Sequence, residues 1–228
     1  MSFVRIHPVN ARAVATSSSR HVDHGASLRS FADEVLVRCV RCGEPGRVLT
    51  SVDDQRQRTG AFRCAACELH ADTASGTWLG PVEWTGRRPC GYCGHQWLRI
   101  NDLVTGFPRA VRTESDASCT ECGRVSTVQV SAHRHVPEDA AIDPHFGLPL
   151  LLTVACRHGV VWAYNERHLA ELRSYVVATL RTRQGGGNSA MFSRLPPWMK
   201  AAKHRAEIAK SLDRLQAMSA NAQTSSGS

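Results

Sequence analysis

The sequence has no long hydrophobic run. Its longest apolar stretch, LPLLLTVAC at 148–156, has the length of a strand and is far shorter than the roughly 20 residues of a membrane-spanning helix. The first 20 residues also lack the continuous apolar stretch of a secretory signal. Their Arg, Ser and Ala content is compatible with a transit peptide, but we interpret residues 1–34 as a disordered leader. These absences predict a cytoplasmic protein with no membrane partner.

Signatures of catalysis are missing as well. The chain has no G-x-S-x-G motif, no Walker loop and no dinucleotide-binding fingerprint, and the GGG at 185–187 indicates only a flexible hinge. Aromatic residues make up only 6% of the chain, which argues against one large aromatic-rich core. We therefore predict that the protein is not an enzyme.

Cysteine, in contrast, is abundant and regularly spaced. Eight of the nine cysteines fall in four CxxC pairs: Cys39/Cys42, Cys64/Cys67, Cys90/Cys93 and Cys119/Cys122. In a reducing compartment such cysteines indicate metal binding rather than disulfides. A gap of two residues allows one tight turn to present two thiolates to the same ion, and zinc prefers four thiolates. The pattern predicts two structural zinc sites, hence two Zn²⁺ per chain.

Glycine follows three of the four pairs, as Gly43, Gly94 and Gly123. Glycine tolerates positive φ, which lets the turn aim backbone N–H groups at the sulfurs. Glu68 occupies this place after the second pair. The second turn is therefore predicted to differ from the others or to be strained.

Spacing alone leaves the pairing of the four motifs open. Between Cys42 and Cys64 lie 21 residues, and between Cys93 and Cys119 lie 25, so each interval accommodates a β-hairpin that joins two turns around one ion. Strands are expected at 47–52, 60–64, 97–101 and 125–132. The 22 residues from Cys67 to Cys90 also allow the middle pairs to join, as in the cysteine-rich module of DnaJ-type chaperones. Because the further glycines of that module are missing, we favour sequential pairing.

Other residues near the pairs are expected to play lesser roles. His70 and His95 follow Cys67 and Cys93 closely enough to replace a thiolate, but four cysteines are available for each site, so we expect both histidines to lie at the surface or beside the ligands. A thioredoxin-like redox site needs one reactive pair at a helix N-terminus, which four pairs in glycine-rich surroundings do not supply. The odd cysteine, Cys156, is expected to be a small buried hydrophobe.

The motifs CVRCG, CAAC, CGYCG and CTECG, in this order, resemble the zinc ribbons of transcription factors and of many small bacterial proteins. The resemblance implies two ribbons in tandem, at 35–70 and 84–132. It concerns metal and fold, since ribbons bind DNA, RNA or protein. The later segments, from VVWAY to SLDRL, look like the tail of a group of bacterial proteins that carry an N-terminal pair of zinc ribbons and have no established activity.

A different composition begins at residue 148. LPLLLTVAC and VVWAY predict a β-hairpin with Gly159 at its turn, and Asn165 is suited to cap a helix at 166–183. A second helix is expected to begin at LPPW and to run from 195 to 218. The predicted fold is thus small α+β: two ribbons, a linker at 133–147, a hairpin with two basic amphipathic helices at 148–218, and a disordered tail at 219–228.

The positive charge lies in the helical part. Residues 164–228 contain 10 basic and 4 acidic side chains (10 − 4 = +6), whereas residues 1–163 contain 18 and 16 (18 − 16 = +2). Each Zn(Cys)₄ centre carries a charge of 2−, which turns the front half negative. A charged stripe is often only the wet side of a helix, but these cations are our candidates for contacts with nucleic acid. They are Lys200, Lys203, Lys210, Arg214, Arg167 and Arg181.

Three functional hypotheses follow. The first is a non-catalytic zinc-ribbon adaptor that binds nucleic acid or a nucleic-acid-associated protein machine. The second is a protein-interaction module in which Trp78, Trp84 and Trp97 recognise a partner chain. The third is a metal-dependent hydrolase that uses the histidines and acids of 133–145, and it predicts a third bound metal. We favour the first and expect chelation to unfold residues 35–132 while much of the helix signal of 148–218 persists.

Overall fold

A computed structural model describes residues 20–52, 57–107, 111–137, 140–184 and 190–224. In these ranges the protein is small α+β, made mostly of strands with four α-helices. The strands are β1 (Arg20–Asp23), β2 (Glu34–Arg38), β3 (Pro45–Val52), β4 (Arg58–Arg63), β5 (His70–Asp72), β6 (Val82–Arg88), β7 (Leu98–Val104), β8 (Glu114–Ser118), β9 (Val125–Gln129), β10 (Ser131–Arg134), β11 (Leu152–Cys156), β12 (Gly159–Ala163) and β13 (Leu180–Arg183). The helices are α1 (Glu166–Val177), α2 (Met191–Arg194), α3 (Pro197–Lys200) and α4 (Arg205–Thr224), with 3₁₀ helices at Leu28–Phe31 and Ala202–His204. Among these helices, none combines the length and apolar character that crossing a bilayer requires.

The first ribbon is an antiparallel sheet of β2, β3, β4 and β5 in sequence order. Its alternating pattern gives it one buried face. Val48 and Phe62 are partners in register and both are buried, whereas the next pair, Leu49 and Ala61, is exposed. The strands expected at 47–52 and 60–64 correspond to β3 and β4.

The second ribbon has two separate pieces of sheet. Strands β6 and β7 form a hairpin, and β10 pairs with the other edge of β6. Strands β8 and β9 form a separate two-stranded sheet. The two pieces approach at Gly86, where a Cβ would collide with the carbonyl oxygen of Gln129. Trp84 packs beside Val82 and Val130 in a small buried cluster. Glycine at position 86 therefore permits the close approach.

The C-terminal module is the hairpin of β11 and β12, with α1 and α4 packed on it. Gly159 follows the turn with a φ of 146°. The apolar stripes predicted for the two helices are buried: Leu169, Leu172 and Val176 on α1, and Ile208, Leu212 and Leu215 on α4. The predicted hairpin is confirmed.

Asn165 caps α1 as predicted. Its side-chain oxygen accepts a hydrogen bond from the backbone N–H of His168 at 2.9 Å. Its amide group donates to the carbonyl oxygens of Phe31 at 2.8 Å and Glu34 at 2.6 Å. The cap thus also joins the helix to the start of the first ribbon.

Strand β2 connects the first ribbon directly to the C-terminal module. The N–H of Leu36 donates to the carbonyl of Tyr164 at 2.8 Å, and the N–H of Leu151 donates to the carbonyl of Leu36 at 2.9 Å. One hydrophobic cluster extends from Phe62 in the ribbon to Leu212 in α4. The first ribbon therefore shares the main core, whereas the second ribbon has small clusters of its own.

Helix α1 is shorter than predicted: it ends at Val177 rather than at residue 183. Ala178 is extended, and β13 pairs in parallel with β1. The guanidinium of Arg181 donates to the carbonyls of Tyr175 at 3.0 Å and Val176 at 3.4 Å, which would otherwise lack partners at the helix end. A partner strand and a side-chain cap thus replace the last turn and a half of the expected helix.

The second predicted helix is divided. Ala201 is extended, with φ −73° and ψ 126°, and separates α3 from the 3₁₀ helix that leads into α4. The carbonyl of Lys200 accepts a hydrogen bond from Arg181 at 3.0 Å, and its ammonium donates to the carbonyl of Ser193 at 2.8 Å. Tertiary hydrogen bonds therefore interrupt the helix at a point where the sequence has neither proline nor glycine.

Parts of the expected leader and tail are ordered instead. Residues 20–34 contain β1 and a 3₁₀ helix, and Phe31 is buried. At the other end α4 passes the expected boundary at 218, and the hydroxyl of the buried Ser219 donates to Glu166 at 3.0 Å. Strand β1 has its partner near the opposite end of the chain, so no local pattern could reveal it. Residues 1–19 and 225–228 lie outside the described residues.

The segment predicted as a linker, 133–147, is partly core. Asp143 and Phe146 are fully buried. The carboxylate of Asp143 accepts backbone N–H groups from His145 and Phe146, both at 2.9 Å, and from Leu148 at 2.6 Å. These bonds fold the segment into a tight loop that carries Phe146 into the main cluster. A buried carboxylate that organises backbone explains why the composition of a linker gave the wrong prediction.

Candidate metal centres

The four CxxC turns share one backbone geometry. In each, the residue after the second cysteine has a positive φ, between 56° and 81°. Its N–H donates to the carbonyl of the first cysteine at 2.9 to 3.2 Å: Gly43 to Cys39, Glu68 to Cys64, Gly94 to Cys90 and Gly123 to Cys119. Each of the four turns therefore places the sulfurs of its two cysteines side by side.

The structure brings the first pair together with the second and the third together with the fourth. In the first group Cys39 and Cys67 have their sulfurs 3.6 Å apart, and Cys42 and Cys64 have theirs 3.5 Å apart. This is the sequential pairing favoured from the sequence, and the nested alternative is wrong.

The second group has the same dimensions. The sulfurs of Cys90 and Cys122 are 3.7 Å apart, and those of Cys93 and Cys119 are 3.6 Å apart. Four sulfurs placed tetrahedrally at the usual Zn–S distance are separated by about 3.8 Å. Both groups thus have the donor atoms and nearly the spacing that a tetrahedral zinc ion requires, and each could hold one metal ion.

The pKa values of two thiols in the second group, Cys90 and Cys93, are shifted in opposite directions. The backbone N–H groups of Cys93 and Tyr92 lower the pKa of Cys90 to about 6. The backbone N–H of His95 also lowers the pKa of Cys93. Desolvation and the neighbouring sulfurs outweigh it and raise the pKa of that thiol to about 12. Adjacent thiolates repel one another, so complete ionisation of such a group requires a bound cation.

Glu68 shows the strain that the sequence predicted for the second turn. Its φ of 56° is a left-handed conformation that costs a residue with a Cβ roughly 1 kcal/mol. Glu68→Gly is therefore expected to raise the free energy of unfolding of the metal-loaded protein by about 0.5–1 kcal/mol, measured by urea denaturation.

Gly43→Ala is the matched control for that substitution. A Cβ at Gly43 would meet no atom within 4 Å, so only its φ of 81° opposes the alanine. We expect a loss of about 1 kcal/mol. A gain from alanine at 43, or no gain from glycine at 68, would show that the turns do not share one conformational requirement.

The remaining ligand candidates lie outside both sulfur groups. His95 has its Nδ1 3.9 Å from the carboxylate of Glu121, and His70 has its Nδ1 3.4 Å from the carbonyl of Glu68. Cys156 is half-buried on β11 and packs against the main cluster. The two histidines are thus neighbours of the sulfur groups and do not belong to them.

The residues proposed for a hydrolytic site do not converge in the described part of the chain. Asp143 is engaged by three backbone N–H groups, while His133 is exposed on strand β10. Glu138 and Asp139 lie outside the described residues. No group of metal-binding side chains in the described ranges includes a residue of 133–145.

Three of the six cations predicted to contact nucleic acid serve the fold. Arg167 binds the carboxylate of Asp33 at 2.8 Å and the carbonyl of Ser30 at 2.7 Å. Arg181 caps α1, and the ammonium of Lys200 holds the carbonyl of Ser193. For Arg167 the sequence could not show this, because Asp33 and Ser30 are distant along the chain. Arg181 and Lys200 bind backbone carbonyls closer in sequence, and a backbone acceptor has no side-chain signature in the sequence.

The other three predicted cations are exposed. Lys203 precedes α4, and Lys210 and Arg214 lie on its outer side. Lys210 and Arg214 are four residues apart, which places them on the same side of α4. This is the part of the basic stripe that remains accessible to a partner.

The tryptophans differ from one another in exposure. Trp84 is buried, and Trp78 is half-buried with its indole N–H donating to the carbonyl of Pro81 at 2.8 Å. Trp97 is 38% exposed. Only the last is available as the exposed contact residue that the sequence suggested.

Trp97 belongs to an exposed surface around the second sulfur group, here called the ribbon-2 tip and formed by Arg87, Tyr92, Trp97 and Arg124. The guanidinium of Arg87 lies 5.0 Å from the ring centre of Trp97, and that of Arg124 lies 4.8 Å from the ring centre of Tyr92. Tyr92 is 59% exposed. The sequence analysis missed this surface, although CGYCGHQW and CTECGR place its aromatic and basic residues next to the cysteines.

A third group of metal-binding side chains was also missed. His158, His204 and Glu207 have ligand atoms that all lie within 4.8 Å of one another. His204 ends the 3₁₀ helix before α4 and Glu207 lies in the first turn of α4, so their three-residue spacing was a local signal. His158 comes from the turn between β11 and β12, so its proximity could not be read from the sequence.

The fold and the two sulfur groups define a protein with two four-cysteine centres of the zinc-ribbon type. Comparison of the chain with protein-family models finds no match, and searches of curated proteins and of solved structures find none either. The resemblance of the C-terminal segments to a bacterial group therefore stays a prediction. Function has to be inferred from the geometry of the surfaces.

Proposed function

We propose that the protein is a zinc-ribbon adaptor that binds single-stranded nucleic acid, with the ribbon-2 tip as a contact surface. The observation that carries this proposal is the pairing of two exposed aromatic rings with two arginines beside the second sulfur group. The two sulfur groups hold structural zinc. The adaptor would present the nucleic acid, or a machine assembled on it, to other components.

The zinc ions in this proposal have no catalytic task. Four cysteine sulfurs fill a tetrahedral shell, and a filled shell offers no position at which water or substrate is activated. Each ion instead fixes the relative position of two turns. At the second group this also fixes Tyr92 and Arg124, which lie in or next to those turns.

The ribbon-2 tip suits unpaired bases. Bases of single strands stack on aromatic rings and on guanidinium planes, and such stacking tolerates any sequence. In a duplex the base faces are covered by their neighbours. Arg99 stands opposite Arg87 in the register of β6 and β7, which adds a further cation for the phosphates.

The helical part supplies a second source of positive charge. Residues 164–228 carry a net +6 (10 basic and 4 acidic side chains). Lys203, Lys210 and Arg214 are exposed there. Lysines that approach phosphates release counterions, so binding through them weakens as salt rises.

The test is fluorescence anisotropy with labelled single-stranded DNA, single-stranded RNA and duplex DNA at two salt concentrations. We expect single strands to bind more tightly than the duplex, and all binding to weaken with salt. Tyr92→Ala and Trp97→Ala should each lower the affinity for single strands by about 10-fold, because a stacked base contributes roughly 1–3 kcal/mol.

Two controls make this test specific. Leu103→Ala removes an exposed apolar side chain from β7 away from the tip, and Arg63→Gln removes an exposed cation beside the first sulfur group. Neither should change the affinity by more than about twofold. Absence of binding at low salt would refute the proposal, and recovery of a protein partner after nuclease treatment would favour a protein-interaction module instead.

A further inference from the structure

The group of His158, His204 and Glu207 joins two elements that are distant in sequence. His158 lies in the turn between β11 and β12, and Glu207 is in the first turn of α4. The two imidazole rings have their centres 3.8 Å apart, and Nε2 of His158 is 3.4 Å from a carboxylate oxygen of Glu207. All three side chains are half-buried.

We propose that His158, His204 and Glu207 form a third metal site, which binds one divalent transition-metal ion of the kind that prefers imidazole, such as zinc. Two imidazoles and one carboxylate are a ligand set that occurs in open metal sites, where three protein ligands leave at least one position for water or another ligand. The site differs in donor type and in coordination number from the two closed sulfur groups.

The distances allow the ion to bind with small rotations of the side chains. Ligand atoms at about 2.0–2.2 Å from a shared zinc ion are separated from one another by roughly 3.0–3.6 Å. The pair of His158 and Glu207 is already in this range at 3.4 Å. The whole group lies within 4.8 Å, so the remaining pairs need to approach by about an ångström.

A separate observation at His204 also indicates that this group binds a metal ion. Its Nδ1 is buried and has no hydrogen-bond partner among the described residues. A buried imidazole nitrogen without a partner costs free energy, and a bound metal ion removes that cost. Two imidazoles in such close contact also repel when both are protonated, whereas a shared metal ion uses the lone pair of each.

A cation already lies at this group. The Nε of Arg157 donates to Nε2 of His158 at 2.9 Å and lies 2.9 Å from the carboxylate of Glu207. The Arg157 side chain is 70% exposed. An exposed ion pair contributes at most about 1 kcal/mol, so a metal ion can displace the guanidinium. Arg157 thus marks the position where the group accepts positive charge.

The proposed site lies at the edge of a cavity of about 560 Å³. His158 belongs to the wall of this cavity, together with apolar side chains that include Trp162, Trp198 and Met199. The ring of Trp198 stacks on His158 with the ring centres 6.1 Å apart. An ion with an open position beside an apolar cavity is arranged to bind a small molecule, which a purely structural ion is not.

The test is a titration with Co²⁺ of full-length protein whose sulfur groups have first been loaded with zinc. Cobalt replaces zinc in nitrogen and oxygen sites and gives visible absorption there, distinct from the intense sulfur-to-metal bands of thiolate sites. We expect one further equivalent to bind without those bands. His158→Gln and Glu207→Gln should each weaken its binding by at least about 10-fold.

Arg157→Ala separates a metal site from an ordinary ion-pair network. If the guanidinium competes with the metal, its removal should tighten cobalt binding by several-fold, although the protein loses an ion pair. His133→Gln changes an exposed histidine on β10 and should have no effect. Failure of both the natural protein and Arg157→Ala to bind a third equivalent would overturn the proposal, as would binding that His158→Gln and Glu207→Gln leave unchanged.

Discussion

Replacing Cys93 with serine is expected to unfold the second ribbon and to leave the remainder of the protein folded. The hydrophobic cluster at the second sulfur group contains two ligands, Cys90 and Cys119, and among the described residues only Leu98 and Val128 are buried there besides them. Even together with the small cluster of Val82, Trp84 and Val130, so few buried apolar side chains do not offset the conformational entropy of the strands. A structural zinc contributes roughly 10–16 kcal/mol of apparent binding free energy in small peptides.

The matched substitution in the first ribbon, Cys42→Ser, is expected to have a wider effect. Cys42 and Cys93 are both exposed and both occupy the second position of the first turn in their group. The first ribbon, however, shares the main cluster and is bonded through Leu36 to Tyr164 and Leu151. Loss of its ion therefore loosens β2 and lowers the stability of the C-terminal module as well.

Three measurements distinguish the two variants. Elemental analysis should find about one zinc fewer in each. Hydrogen exchange should show loss of protection confined to β6–β10 for Cys93→Ser, but reaching β11 and α4 for Cys42→Ser. The thermal midpoint of the helix signal should fall clearly only for Cys42→Ser. Equal and local effects in both variants would mean that the two ribbons are independent of the C-terminal module, as the sequence had suggested.

The sulfur groups could be predicted because the residues that specify each turn are adjacent in the sequence. The two-residue gap and the following glycine fix the turn, and the intervals between pairs fit one hairpin each. The strands β3 and β4 were visible for a similar reason, since alternation of buried and exposed side chains has a period of two residues. Even the strain at Glu68 followed from a single missing glycine.

Features that depend on distant partners were predicted less well. The end of α1 is set in part by the pairing of β13 with β1, and nothing within 166–183 indicates that pairing. The same holds for Arg167, whose charge was assigned to a partner molecule but meets Asp33. Propensity and periodicity describe what a segment can form, and tertiary contacts decide among the possibilities.

Asp143→Ala is expected to be the most damaging single change outside the metal centres. The alanine would leave the N–H groups of His145, Phe146 and Leu148 without their acceptor in a buried loop. A buried group left unsatisfied costs about 1–3 kcal/mol, so the free energy of unfolding should fall by roughly 3–6 kcal/mol, measured by urea denaturation of the zinc-loaded protein.

Asp143→Ala should also destabilise the segment that connects the two ribbons, because the loop of Asp143 is hydrogen-bonded to that segment. The carbonyl of Phe146 accepts the N–H groups of both Leu79 and Gly80 at 2.8 Å, and a Cβ on Gly147 would lie 2.6 Å from the Cα of Gly80. The two backbone segments are thus in direct contact. If the Asp143 bonds fail, the segment that leads into the second ribbon loses its support on the main cluster.

Two further variants serve as comparisons for the expected decrease in the free energy of unfolding of Asp143→Ala. Asp143→Asn keeps one acceptor oxygen and should cost less than the alanine, by about the value of one or two backbone hydrogen bonds. Asp33→Ala removes a carboxylate that is 53% exposed and pairs with Arg167, and it should cost less than about 1 kcal/mol. If the losses at positions 143 and 33 proved similar, the carboxylate of Asp143 would not organise the loop, and burial of Phe146 would have to hold the segment that leads into the second ribbon.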